Sequence, residues 1–225
     1  MSQYTTFVFD LDGTLLDTLS DLAASTNYAL RQHGLPERSL DEVRQFVGNG
    51  VRVLMERAVP NGFPAGKEAP QFEAVLQTFR HHYLHHSLDT TQPYPGITGL
   101  LRQLKHRGCR LAVVSNKFQT ATEQLCRHFF ADTIDVAVGE HEAQGVRRKP
   151  APDTVFEALR QLHGNCSAAG GAVYVGDSEV DVATARNANL PCISVLWGFR
   201  DRAFLAAHGA TAFVEKPDQL LLFAM

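Results

Sequence analysis

FVFDLDGTLLDT, residues 7–18, is the stretch from which the rest of the sequence can be interpreted. Its first three residues are aromatic or β-branched, which predicts a buried β-strand over 7–9. Asp10 and Asp12 follow at once, two residues apart, and Gly13 and Thr14 come next. Carboxylates at the end of a buried strand are costly unless a cation neutralises them. The stretch therefore predicts a core strand that ends in a functional site.

Short apolar segments rich in Val, Ile or Phe recur in the second half of the chain. From residue 97 onward they alternate with helical patterns, and that order is typical of a parallel sheet covered by helices. The predicted strands are 7–9, 111–114, 134–138, 172–175, 192–196 and 211–214. The helices predicted between them are 97–107, 120–130, 153–162 and 180–189. The predicted fold class is α/β.

The stretch after the first strand breaks this alternation, because it carries four helical patterns in a row. The first begins at a predicted capping box of Thr18 and Asp21, and the second at one of Ser39 and Glu42. The third and fourth helices are predicted over 51–59 and 71–86, on either side of a Gly- and Pro-rich loop over 61–70. We therefore predict an α/β core of residues 1–16 and 91–225 and a helical cap of residues 17–90.

Composition and charge exclude several functions. The chain has 225 residues and a net charge of -3, so it lacks the basic surplus that binds a nucleic acid backbone. It contains no apolar run long enough to span a membrane. The N-terminus has no basic stretch followed by an apolar signal core, which predicts a cytoplasmic location. Four widely spaced cysteines are predicted to be free thiols. The oligomeric state is not predicted.

Polar side chains follow three of the predicted strands at their carboxyl ends, where an open parallel sheet binds its ligands. They are Asp10 and Asp12, then Ser115 and Asn116, then Asp177 and Asp181. Each alone could cap a helix, but carboxylates gathered at one edge raise one another's pKa. A cation among them is therefore predicted. Lys149 is one candidate, and Mg²⁺ is the second, because the group offers oxygen ligands without His or Cys.

These groups together predict phosphoryl transfer. Asp10, held at the end of a strand, is the predicted nucleophile and would form an aspartyl-phosphate. Asp12 is the predicted acid and base, protonating the leaving oxygen and then deprotonating water. Lys149 and Mg²⁺ would offset the charge of the phosphoryl group. The predicted phosphate contacts are the hydroxyls of Thr14 and Ser115 and the backbone N–H groups of residues 11–14 and of Asn116.

The chain resembles the haloacid dehalogenase-like hydrolases along its whole length. The family's four motifs occur in order: DLDGT with Asp10 and Asp12, VVSN with Ser115, RRKP with Lys149, and GDSEVD with Asp177 and Asp181. The resemblance implies a Rossmann-like core, with Asp10 as nucleophile and Asp12 as acid and base. It also implies Mg²⁺ bound by Asp10, the backbone carbonyl of Asp12, and Asp177, with Asp181 as a ligand or acting through water. The acid at position 12 separates the chain from the dehalogenases themselves.

Part of the cap carries a second resemblance. The segment VGNGVRVLMERA, residues 47–58, together with SNKF and RRKPAPD, is similar to phosphoglycolate phosphatases. That likeness implies a lid which encloses a small phosphorylated substrate, with 2-phosphoglycolate as the favoured one. Arg52 is then a predicted contact for the substrate carboxylate. An exposed arginine on a helix is an equally good interpretation of Arg52.

Several alternatives stay open. The substrate could be another small anion, such as pyrophosphate or a sugar phosphate, or the chain could be a phosphoglucomutase, because likeness of fold does not separate these activities. A receiver domain also accepts phosphate on Asp at the edge of a parallel sheet, although the helical insertion and Asp12 favour turnover. His81–His86 has i,i+4 spacing that could bind a transition metal, but a solvated helix face is favoured. Trp197–Phe199 is predicted to pack or to line the core side of the pocket.

Overall fold

A parallel β-sheet forms the core of the protein. The computed structural model describes residues 3–59, 68–164 and 171–225. The strands of the sheet are β1 (Thr6–Phe9), β4 (Arg110–Phe118), β5 (Val136–Glu140), β6 (Ala172–Gly176), β7 (Cys192–Val195) and β8 (Phe213–Val214). Their order is β5-β4-β1-β6-β7-β8, and every neighbouring pair is parallel. The predicted α/β class with a parallel sheet is confirmed.

The helices of the core follow its strands, as expected for parallel connections. They are α5 (Ile97–His106), α6 (Gln119–Phe130), α7 (Asp153–His163), α8 (Glu179–Asn187) and α9 (Arg202–Ala207), with 3₁₀ turns at Glu142–Gln144 and Pro217–Phe223. Two short strands, β2 (Leu16–Asp17) and β3 (Gln92–Pro93), form a separate two-stranded sheet. The chain divides into two compact units, one of Met1–Asp17 and Pro93–Met225 and the other of Thr18–Gln92.

The unit Thr18–Gln92 is helical. Its helices are α1 (Leu19–Gln32), α2 (Leu40–Phe46), α3 (Val51–Ala58) and α4 (Glu68–His86). The last of these begins three residues before the predicted start, and most of the predicted loop 61–70 lies outside the described residues. The capping box of Ser39 and Glu42 is confirmed at the start of α2.

The predicted capping box at the start of α1 is wrong. Thr18 precedes the helix but its side chain makes no capping hydrogen bond. Asp21 is buried, and its carboxylate accepts hydrogen bonds from the backbone N–H groups of Thr90 (3.0 Å) and Thr91 (2.9 Å). The Asp21 carboxylate therefore binds Thr90 and Thr91, which are distant in sequence, and does not cap the start of α1 as the local pattern predicted. Within Thr18–Gln92, this contact ties the first helix to the segment that follows the last one.

The register of the central strands explains where the polar residues meet. Phe9 is paired with Val113 on one side and with Val175 on the other. Phe7, Val8 and Phe9 are completely buried, as expected for the middle of a sheet that is covered on both faces. The residues that come directly after these three strands therefore lie at one edge of the sheet.

Three strands differ by two residues or more from their predicted extents, and one of them, β8, begins two residues later than predicted. β4 continues through the polar residues 115–117 to Phe118, and its pairing with β5 is irregular between Val114 and Phe118. β5 lies two residues later than predicted. Cys109, Cys126 and Cys192 are free thiols, and Cys166 is outside the described residues. Among the described helices, none combines the length and apolarity that crossing a membrane requires.

Candidate active site

Three buried carboxylates converge at the carboxyl edge of the sheet. Asp10 follows β1, Asp177 follows β6, and Asp181 lies in the first turn of α8. Each of them offers an oxygen within 4.8 Å of the others, and among the described residues this is the only group of three or more potential metal ligands of the His, Cys, Asp or Glu type. The histidines of α4 therefore do not form such a group in the described part of the chain.

Lys149 bridges two of these carboxylates. Its Nζ donates to Asp10 Oδ1 at 2.7 Å, to Asp181 Oδ1 at 2.8 Å and to the Tyr174 hydroxyl at 3.1 Å. These three bonds use all three protons of the ammonium group. Burial alone lowers the pKa of Lys149, but the charges of Asp10 and Asp181 outweigh burial and raise the pKa above its usual value. Lys149 is therefore a permanent cation beside Asp10.

Asn116 holds the backbone of Lys149 in place. Its side-chain Nδ2 donates to the Lys149 carbonyl at 3.0 Å, and its Oδ1 accepts from the Lys149 N–H at 2.8 Å. Asn116 is one of the predicted phosphate contacts, through its backbone N–H. Both polar atoms of its side chain hold the lysine backbone, and the contact of its backbone N–H with phosphate stays a prediction.

Asp181 is saturated by donors from the protein. Its Oδ1 accepts from Lys149 and from the Tyr174 hydroxyl (3.0 Å), while its Oδ2 accepts from the N–H (3.0 Å) and the hydroxyl (2.6 Å) of Ser178. Two carboxylate oxygens offer about four lone-pair directions, so these four bonds fill them. In this arrangement Asp181 anchors Lys149 and caps α8.

Tyr174 is a member of the site that the sequence analysis missed. Its hydroxyl lies between Lys149 and Asp181, and the whole side chain is buried within β6. Burial, followed by the charges of Asp181 and Asp10, raises the pKa of Tyr174 well above its usual value, so the hydroxyl keeps its proton. The available signal was a tyrosine in an otherwise aliphatic strand, since a buried hydroxyl needs a partner.

Asp177 is held through both of its oxygens but is not saturated. Oδ1 accepts from the Thr14 hydroxyl at 3.2 Å and Oδ2 accepts from the backbone N–H of Phe199 at 2.7 Å. One protein donor on each oxygen leaves a lone pair on each for a further partner. Asp10 likewise accepts from Lys149 on Oδ1, and its Oδ2 accepts no bond from the described residues.

The pKa values show that the cluster is short of positive charge. Burial, with the charges of Asp181 and Asp177, raises the pKa of Asp10 well above its usual range even though Lys149 acts against this. Burial and the charge of Asp181 raise the pKa of Asp177 to about 7. A divalent cation would relieve this repulsion, and an all-oxygen donor set with open lone pairs on Asp10 and Asp177 suits a hard ion. The residues thus fit Mg²⁺.

Asp12 lies beside a second buried lysine. Lys117 Nζ is 3.1 Å from Asp12 Oδ1, and only 2% of the lysine side chain is exposed against 15% of the aspartate side chain. Lys117 stands in the SNKF motif and follows the predicted strand 111–114, but it is not among the predicted site residues. The pair keeps a positive charge next to the predicted acid and base.

The predicted phosphate contacts differ in whether they already donate hydrogen bonds within the protein. Ser115 Oγ accepts from the Lys117 N–H at 3.2 Å, and its hydroxyl donates to no acceptor in the described part of the chain. The Thr14 hydroxyl donates to Asp177, and the Gly13 N–H donates to the Leu16 carbonyl at 2.9 Å. Ser115 is therefore the hydroxyl that is poised to donate to a ligand.

Arg52 belongs to the helical unit, on α3. Its guanidinium forms an ion pair with Glu73, approaches Glu56 Oε1 at 4.0 Å, and lies 5.3 Å from the centre of the Phe72 ring. The side chain remains 41% exposed. Its role as a carboxylate contact stays a prediction.

Removing the charge of Asp177 is expected to stabilise the metal-free protein in a pH-dependent way. Its pKa rises from an ordinary 3.8 to about 7 on folding. Between those two pH values the folded state keeps the proton on Asp177, while the unfolded state has released it. The free energy of unfolding therefore falls as the pH rises through this range. Asp177→Asn should therefore be more stable than the wild type at about pH 8, by at most about 4 kcal/mol at 1.36 kcal/mol per pKa unit.

Urea unfolding with EDTA, repeated at several pH values, measures this effect. The advantage of Asp177→Asn over the wild type should shrink as the pH falls toward about 4. Exposed Asp218 offers the matched control, since Asp218→Asn should change stability by less than about 0.5 kcal/mol at every pH. A pH-independent difference between Asp177→Asn and the wild type would contradict the described electrostatics.

A buried acidic cluster with a bound lysine, at the carboxyl edge of a parallel α/β sheet, is the site of an enzyme class that transfers phosphoryl groups to aspartate or of a protein that accepts phosphate in the same way. The family model described as haloacid dehalogenase-like hydrolase matches residues 7–195. The chain belongs to this family, as its four motifs predicted.

Curated relatives and solved structures agree with this membership. The chain is 36% identical to a phosphoglycolate phosphatase of Cereibacter sphaeroides over 95% of this chain and 96% of the relative. It is also 36% identical to one of Caulobacter vibrioides, over 87% of this chain and 81% of the relative. The crystal structure of a predicted phosphoglycolate phosphatase from Haemophilus somnus superimposes with a TM-score of 0.85 at 28% identity, covering 99% and 98% of the two chains.

Proposed function

We propose that the protein is a Mg²⁺-dependent phosphatase that hydrolyses 2-phosphoglycolate to glycolate and phosphate through an aspartyl-phosphate on Asp10. The observation that carries this proposal is the contact of Asp10 with Lys149 inside a buried acidic cluster. A carboxylate held by a permanent cation, with its second oxygen open, is an oriented nucleophile. The names of these relatives, which match over most of their length, support the choice of substrate.

Asp10 performs the first chemical step. A carboxylate oxygen of Asp10 forms a bond to phosphorus while the bond from phosphorus to the substrate oxygen breaks. Asp12 donates a proton to that departing oxygen, so glycolate leaves as an alcohol. Lys149 stays bonded to the other side of the Asp10 carboxylate and holds the attacking group in line.

Asp12 then acts as a base in the second step. It takes a proton from water, the water oxygen bonds to phosphorus, and the bond from phosphorus to Asp10 breaks, which restores the carboxylate. Asp10, Asp177 and the backbone carbonyl of Asp12 are the groups that would hold Mg²⁺, and the bound ion supplies charge neutralisation for the phosphoryl oxygens. Ser115 donates its hydroxyl to one of those oxygens.

A panel of phosphorylated metabolites tests the proposal directly. Phosphate release with Mg²⁺ should be fastest for 2-phosphoglycolate, measured as kcat/KM. If the enzyme preferred pyrophosphate or a sugar phosphate, the proposed substrate would be wrong and the proposed chemistry would stand. Transfer of phosphate to a sugar in place of water would identify a mutase, and a stable label on Asp10 without repeated turnover would identify a receiver-like regulator. The cytoplasmic location stays a prediction.

Replacing Arg52 by alanine tests the choice of substrate. If its guanidinium binds the substrate carboxylate, Arg52→Ala should raise KM for 2-phosphoglycolate about 10-fold, the value of a charged hydrogen bond of roughly 1.5 kcal/mol. KM for glycerol phosphate, which lacks the carboxylate, should change less than about 2-fold. Arg44, an exposed arginine of α2 paired with Asp41, provides the control variant Arg44→Ala. Equal increases in KM for both substrates would show that Arg52 does not bind the substrate carboxylate.

A further inference from the structure

The segment Trp197–Phe199, called the tryptophan segment below, follows β7 and reaches the Asp177 carboxylate. The backbone N–H of Phe199 donates to Asp177 Oδ2 at 2.7 Å. The indole Nε1 of Trp197 donates to the Thr14 carbonyl at 2.9 Å, and the Thr14 hydroxyl donates to Asp177 Oδ1 at 3.2 Å. The segment thus fixes one oxygen of Asp177 directly and the other through Thr14.

Glycine at position 198 permits this approach. A Cβ at that position would overlap the Asp177 side chain and the carbonyl oxygen of Gly13. The φ angle of Gly198 is not in the left-handed region, so space rather than backbone conformation excludes a side chain there. A larger residue would have to displace Asp177 or the turn that carries Thr14.

Simple packing does not account for these contacts. Burying an indole and a phenyl ring requires no donor to point at a carboxylate, yet two of the three residues direct an N–H group into the Asp177 and Thr14 network. Groups that orient a metal ligand in this way typically change metal affinity 10–100-fold when they are altered. The tryptophan segment occupies that position with respect to Asp177.

We infer that the tryptophan segment is a positioning element that sets the Mg²⁺ affinity of the site through Asp177. The inference rests on the proposed function, because it needs Mg²⁺ to bind at Asp10 and Asp177. With the Phe199 N–H on Oδ2 and Thr14 on Oδ1, the carboxylate is held in one orientation before the ion arrives. The Asp177 side chain is therefore already ordered in the folded protein, so Mg²⁺ binding carries no further entropic cost of ordering it.

Calorimetry with MgCl₂ alone tests the inference without reference to activity. Gly198→Ala should weaken Mg²⁺ binding about 10–100-fold, and Trp197→Phe, which keeps an aromatic ring but lacks the indole N–H, should weaken it several-fold, roughly 3–10. Gly99→Ala is the matched control, because Gly99 is an exposed helical glycine with nothing within 4 Å of an added Cβ. That variant should bind Mg²⁺ like the wild type.

Fluorescence provides a second measurement. Trp197 is the single tryptophan of the chain, so emission excited at a wavelength that tyrosine does not absorb reports on this segment alone. Stepwise addition of MgCl₂ should shift the emission of the wild type with the same Kd that calorimetry gives. Asp177→Asn should abolish the shift, because it removes the charge through which the ion and the segment are connected.

The outcomes separate this inference from the proposed function. If Asp177→Asn abolishes Mg²⁺ binding while folded Gly198→Ala and Trp197→Phe both bind with the wild-type Kd, the tryptophan segment does not position the site and the inference is wrong. If the wild type binds no Mg²⁺, or Asp177→Asn binds it as well as the wild type, the proposed metal site fails and the inference fails with it.

Discussion

Asp10→Asn should reduce kcat for phosphate release by about 10⁴–10⁶-fold, the scale on which loss of a catalytic nucleophile acts. The amide that replaces the carboxylate is uncharged and is a far poorer nucleophile toward phosphorus. The variant keeps the size of the side chain and an oxygen that can accept from Lys149, so the network around the lysine can persist. The loss should therefore fall on kcat and leave the fold intact.

Two further measurements make this result specific. Because burial and the neighbouring carboxylates raise the pKa of Asp10, removing its charge should not lower the Tm of the metal-free protein. Asp132, exposed in the turn before β5, gives the control variant Asp132→Asn, which should retain wild-type kcat within about 2-fold. Residual turnover of Asp10→Asn within about 10-fold of the wild type would show that Asp10 is not the nucleophile.

Lys149→Met is the second substitution with a large expected effect. It removes the ammonium that is bonded to both Asp10 and Asp181, and leaves those two carboxylates buried without their cation. Loss of one partner from a buried ion pair costs about 3–5 kcal/mol of unfolding free energy. Catalysis should fall by about 10²–10³-fold, the usual cost of removing one preorganised donor.

A surface ion pair of the same unit supplies the comparison. Lys105 Nζ lies 2.6 Å from Asp135 Oδ1, and about a third of its side chain is exposed (31%). Lys105→Met should cost no more than about 1 kcal/mol, because solvent screens exposed pairs. Urea unfolding of both variants in EDTA gives the difference. Similar losses for Lys105→Met and Lys149→Met would contradict a charge-balancing role for the buried lysine.

The strands and the acidic residues could be predicted because their signals are local. Segments such as 7–9 and 172–175 are apolar on both faces, and only a sheet covered on both sides requires that. Asp10, Ser115 and Asp177 follow three such segments, and parallel strands bring their carboxyl ends to one edge. Neither inference depends on knowing which side chain contacts which.

The missed and wrong assignments have a different origin, since they depend on partners that are distant in sequence. Asp21 is bound by Thr90 and Thr91, about seventy residues away, and this tertiary contact prevails over the local capping pattern. Tyr174, which was not predicted to belong to the site, contributes through hydrogen bonds to Lys149 and Asp181. Trp197 was predicted to pack or to line the pocket, but its hydrogen bond to the Thr14 carbonyl was not predicted. No spacing in the sequence encodes these pairings.

Asn116 illustrates the same limit at a residue that was correctly placed at the edge of the sheet. A strand-end asparagine can bind a ligand or hold a neighbouring loop, and its identity does not distinguish the two. Its paired hydrogen bonds to the Lys149 backbone are visible only once the two segments are folded together. The sequence therefore predicted which residues gather at this edge of the sheet, and the structure shows which of them contact one another.

The central claim is that a carboxylate oxygen of Asp10 attacks phosphorus in a site whose negative charge Mg²⁺ neutralises. A crystal structure of the protein soaked with MgCl₂ and beryllium fluoride tests it most directly. The account predicts a beryllium fluoride group bonded to a carboxylate oxygen of Asp10, with the metal on Asp10 and Asp177. Density for the fluoride on another residue, or an empty site with Asp10 turned away from Lys149, would contradict it.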